Sequence, residues 1–173
     1  MSTVRIVGTV PSKRHWTSRL TQESWQHWGR LEALLRGDPN WRPEQLDSLA
    51  SESLRVLWHL HDPKSSYPFQ GRGLVVGYVQ SGKTANYTAV AARAVDAGYR
   101  MVIVLSGIHD SLRSQTQNRL EQELAEHTPE VPGTEWITLT TATEDFKGCG
   151  NSRVSTSVSC GSKEEFQSSA KVR

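Results

Sequence analysis

The sequence predicts an α/β fold: a partial P-loop nucleotide-hydrolase core with a mostly parallel sheet, preceded by a helical N-terminal segment. Three observations carry that expectation. Aliphatic runs at Gly73-Leu-Val-Val-Gly77 and Met101-Val-Ile-Val-Leu105 are short and apolar throughout, as buried parallel strands are. Between them lies an alanine-rich segment, Ala85 to Ala97, closed by Gly98. Joining the first run to that segment is Gly77-Tyr-Val-Gln-Ser-Gly82-Lys83-Thr84, a full match to the pattern of glycines, lysine and hydroxyl that cradles phosphate.

Composition sets the bounds. The chain has 173 residues, 36% hydrophobic and 22% charged, and a formal net charge of +2, so overall charge argues neither for nor against a polyanionic partner. Its mean hydropathy is −0.53. The longest aliphatic run is far too short to span a bilayer, the first residues do not read as an export signal, and a cytoplasmic location is expected. Two cysteines, Cys149 and Cys160, supply neither a disulfide framework nor a four-ligand zinc site.

Texture divides the chain into residues 1–70, 71–146 and 147–173. The first stretch carries five of the six tryptophans and reads as helical. Thr21 is a candidate cap for a helix with Trp25, Trp28, Leu31 and Leu35 on one face, stopped by Gly37 and Asp38-Pro39. Pro43 opens a second helix with Leu46, Leu49, Leu54, Leu57 and Trp58 inward, ending before Asp62-Pro63. The basic residues around Trp16 read as a solvated lead-in rather than a nucleic-acid surface. His59 and His61 are two apart and do not share a helix face, so no metal pair is expected.

In the middle stretch, strand, helix and strand form a βαβ unit with a right-handed crossover. A further helix is expected from about Ser111 to His127, with Asp110 as cap and Leu112, Thr116, Leu120 and Leu124 stacked. Trp136 to Thr141 alternates as a third strand. The last stretch is serine-rich without sustained period, which reads as irregular or disordered.

The phosphate-loop match arises by chance in roughly one in a few hundred chains of this length, and its place between strand and helix sharpens it. Gly77 and Gly82 allow the tight turn, and the amides around Gln80 and Ser81 converge on phosphate oxygens. Lys83 is assigned to the β- and γ-phosphates as the catalytic charge, and Thr84 to Mg²⁺, so ATP and Mg²⁺ are the expected ligands. After the second run, Ser106, Gly107, Arg113 and Gln115 suit contact with a nucleic-acid strand's phosphates. The same segment reads equally as an ordinary exposed helix. His109-Asp110-Ser111 has the letters of a hydrolase triad but not its geometry.

Residues 73–88, Asp96-Ala-Gly-Tyr99, Ile103 to His109 and Leu112 to Gln117 resemble the opening of the Z-one domain family. Its bacterial members are described as endonucleases of restriction and phage-defence loci with a superfamily-two helicase-like core. The resemblance implies an ATP-dependent role on DNA, with Gln80, Gly82, Lys83 and Thr84 on nucleotide and Mg²⁺. It places a helicase-like second motif over Ser106 to Gln115, and further defence-system proteins among the partners. Thr140, Thr141 and Asp145 fall where the family's next strand end would lie. No aliphatic run ending in Asp-Glu follows, so the metal-holding acid is not found, and the nuclease label rests on resemblance alone. The expectation is therefore an N-terminal piece of a larger product, with a truncated or frame-shifted tail, inactive as an isolated chain. The alternatives are a small P-loop kinase or phosphotransferase using Arg113 and Arg119, and a non-catalytic nucleotide-binding remnant.

Overall fold

The computed structural model describes residues 16–76, 82–106 and 109–125, together with Trp136 and Thr140. These residues fall into two compact units, one within Met1–Met101 and the other within Val102–Arg173.

The first unit is built from three helices: α1 (Gln26–Gly37), α2 (Pro43–Trp58) and α3 (Lys83–Ala97). Two single 3-10 turns, Trp16–Arg19 and Gln22–Ser24, lead into α1. Thr21 is a cap as expected, but of the short turn rather than of the helix: its N–H donates to Ser24 Oγ at 3.1 Å. Pro43 occupies the first turn of α2, where a missing N–H costs nothing. Gln45 reaches back to accept the Arg42 N–H at 3.0 Å. At the end of α3, Gly98 sits at φ +110°, a left-handed conformation that an L side chain adopts only with strain.

Helix α3 packs against both α1 and α2. It buries Ala85, Ala89, Ala91, Ala92, Ala94 and Ala97, so alanine keeps the helix axes close. Trp28, Leu31, Leu35, Leu46, Leu49 and Leu57 are buried too. Leu57, Ala94 and Ala97 form a cluster against which Trp16, Leu20, Trp25, Leu54, Leu60 and Tyr99 pack. Trp58, expected inward, is instead 47% exposed, whereas its neighbour Leu57 in the same turn is fully buried.

The lead-in is pinned to the segment after α2. Trp16 Nε1 donates to the Leu60 carbonyl at 2.8 Å, and both Arg19 guanidinium nitrogens pair with Asp62. Tyr99 Oη donates to the His61 carbonyl at 2.6 Å.

The second unit contains α4 (Asp110–Leu120), continued by a wider π turn over Glu121–Ala125. The cap position belongs to His109, one residue before the expected Asp110. Leu112 is exposed and Leu124 buried, so the stacked row faces inward only at its C-terminal end. Gln117 holds Thr140 twice: its Nε2 donates to the Thr140 carbonyl at 3.2 Å, and its Oε1 accepts the Thr140 hydroxyl at 2.7 Å.

The parallel-sheet expectation is overturned. Among the described residues there is no strand and no sheet; the regular structure is helical. Within the two aliphatic runs, Leu74 is 85% and Leu105 91% exposed. An apolar run supplies the propensity for a strand, whereas a strand also requires a neighbouring backbone to complete its ladder. The βαβ unit and its crossover fall with the sheet. Of the third expected strand only Trp136 and Thr140 are described, and neither is in a strand. The expected irregular tail, 147–173, lies outside the described residues.

Candidate phosphate-binding helix terminus

Of the residues assigned to nucleotide, the structure describes Gly82, Lys83 and Thr84; Gly77, Gln80 and Ser81 lie outside the described residues. The three described positions form the N-terminus of α3. Gly82 is its cap residue at φ +78°, ψ 22°, and its carbonyl accepts the Asn86 N–H at 3.0 Å. A Cβ built on Gly82 meets nothing within 4 Å, so glycine is required there for its backbone angle and not for space.

Lys83 is exposed in the first turn and Thr84 half-buried beside it. First-turn amides lack intrahelical acceptors and carry the positive end of the helix dipole, which favours an anion. The Thr88 hydroxyl, fully buried, donates to the Thr84 carbonyl at 3.0 Å one turn on. The sequence therefore places a cation, a hydroxyl and a helix N-terminus at one end of α3. Among the described residues no cluster of His, Cys, Asp or Glu suits a metal ion. A Thr84 hydroxyl with phosphate oxygens is the donor set that Mg²⁺ uses.

The other end of α3 carries features that sequence reading missed. Arg93 is buried, with its guanidinium carbon 4.8 Å from the Trp25 ring centroid and 4.1 Å from that of Trp28. Its Nε donates to Ser53 Oγ at 3.0 Å, and a terminal nitrogen to the Ala50 carbonyl at 3.3 Å. Burial lowers its pKa to about 10, against the charges of Glu32 and Asp96, so it stays protonated at neutral pH. One turn on, Asp96 accepts the His27 N–H on Oδ1 and the Trp28 N–H on Oδ2, each at 2.9 Å. A signal for this existed. The residue before α1 is Trp25, whose indole donates but cannot accept, so the helix had to find its cap elsewhere.

Ser106, Arg113 and Gln115 are described; Gly107 is not. Ser106 and Arg113 are half-buried and Gln115 exposed. Arg119, invoked for a kinase lid, is held by Glu123 at 2.7 Å. His59 Nδ1 contacts the Arg55 carbonyl at 2.8 Å, while the His61 and Phe69 rings stack with centroids 4.8 Å apart. No described helix is long and apolar enough to cross a membrane.

No family model, curated protein or solved structure matches the chain.

Proposed function

We propose that the chain binds a nucleoside triphosphate, ATP with Mg²⁺, through the segment Gly77 to Thr84. The observation that carries this reading is the register of the motif on α3. Its last glycine is the left-handed cap, and its lysine and threonine are the first two helical residues. That is the arrangement in which loop amides and helix terminus act on one polyphosphate. Lys83 neutralises the β- and γ-phosphates and Thr84 completes the Mg²⁺ shell.

The wider reading rests on the sequence resemblance: a helicase-like ATPase of a DNA restriction or defence system, in which Ser106, Gly107, Arg113 and Gln115 contact a strand's phosphates. No aliphatic run ending in Asp-Glu supplies a metal-holding acid, so the proposal is one of binding. Isothermal titration with Mg-ATP tests the core of the proposal. Binding by the wild type and its loss in Lys83→Ala, with helicity unchanged by circular dichroism, is the expected result. Equal affinity in that variant refutes it.

A further inference from the structure

The N-terminus of α3 carries the phosphate-binding residues, and α1 and α2 both pack against that helix. Both charged anchors sit on its far half. Arg93 is enclosed by Trp25 and Trp28 of the α1 entry and bonded to Ser53 and Ala50 of α2. Asp96 supplies the cap that α1 lacks. A cation and an anion one turn apart thus tie a single helix to two others. Removing either side chain alone leaves buried donors or acceptors of its partners unpaired.

We propose that Arg93 and Asp96 are positioning residues for the phosphate-binding end of α3, so that docking of the two N-terminal helices regulates nucleotide affinity. The inference rests on the nucleotide reading above. The anchors lie about 15–20 Å from Lys83 along a helix rising 1.5 Å per residue. α3 is buried along its length, Ala85, Thr88 and Ala89 beside Lys83 included, so loosening its docking on α1 and α2 shifts the Lys83–Thr84 end. Displacements near 1 Å are enough to degrade a polar site severely. Linkage makes the effect reciprocal, so nucleotide at one end strengthens the α1 cap at the other.

The test compares full-length wild type, Asp96→Ala and a destabilised control, Leu46→Ala, at a temperature where circular dichroism shows all three folded. Mg-ATP affinity is measured by calorimetry, and amide hydrogen exchange is followed at Asn86 to Thr88 in α3. Asp96→Ala is expected to weaken Mg-ATP binding by about tenfold and to speed exchange at those amides more than Leu46→Ala does. Unchanged affinity and exchange in Asp96→Ala overturns the inference. So does equal weakening in the control, since loss of stability alone would then suffice. If Asp96→Ala fails to fold, Asp96→Asn, which keeps one acceptor, is judged by the same comparison. Absence of Mg-ATP binding by the wild type refutes the nucleotide reading, and this inference with it.

Discussion

His27 and Asp96 show how a residue's chemistry is set by where its backbone is carried. His27 is buried at the start of α1, and burial holds its pKa below the ordinary value, opposed by the charge of Asp96 and reinforced by Arg30. The unfolded chain takes up that proton near the usual value of about 6.5, whereas the folded protein takes it up only at lower pH. Stability from this group is complete above that value and is lost as pH falls below it. Asp96 works in the opposite sense. Burial raises its pKa, offset by the N–H groups of Trp28 and His27, so its contribution is full in acid and declines as pH rises through the raised value. Replacing His27 by Gln separates the two. In thermal unfolding followed from pH 7 to pH 5, the wild type is expected to lose more stability than His27→Gln. Parallel curves would show that the imidazole is not desolvated.

Among the elements, α3 shows most clearly how sequence and structure divide the work. Its alanine content, its start at Lys83 and its end before Gly98 were legible, because glycine in a left-handed cap and alanine at a close helix contact are local requirements. The Gly98 Cβ direction faces Lys64 Cε at 3.5 Å and Pro63 Cγ at 3.8 Å, ordinary contact distances. Gly98→Ala is therefore expected to cost about 1 kcal/mol through the backbone angle alone, measurable as a lower urea midpoint with an unchanged slope. A loss beyond about 3 kcal/mol would mean that the cap also depends on packing. The start of α1 was misplaced for a complementary reason. Thr21 looks like a cap, but the local turn it closes ends at Ser24, and the carboxylate that caps the helix comes from α3. A partner 68 or 69 residues away in the chain leaves no trace in local spacing.

At the scale of the whole molecule, the aliphatic runs separate propensity from burial. Leu57 is fully buried, whereas Leu74 and Leu105 are almost wholly exposed. Leu74→Ser and Leu105→Ser are expected to change unfolding free energy by less than about 0.5 kcal/mol, while Leu57→Ala costs about 2–5 kcal/mol. Denaturant titration of the three variants checks the contrast. A large loss at Leu74 or Leu105 would place those side chains in a core.

What the amino-acid order determined alone is the set of local commands: helix stops at Gly37 and Gly98, the proline start of α2, and the glycine, lysine and threonine that open α3. Each depends on one residue's backbone freedom or on its immediate neighbours. Which elements those commands would join was decided by tertiary packing. Apolar periodicity says that a surface must be covered but not by what, and here α1 and α2 cover the alanine face of α3 where a sheet was expected. The buried Arg93 and the distant carboxylate of Asp96 belong to the same category, since a charge inside a helical core is stable only where remote tryptophans, carbonyls and amides meet it.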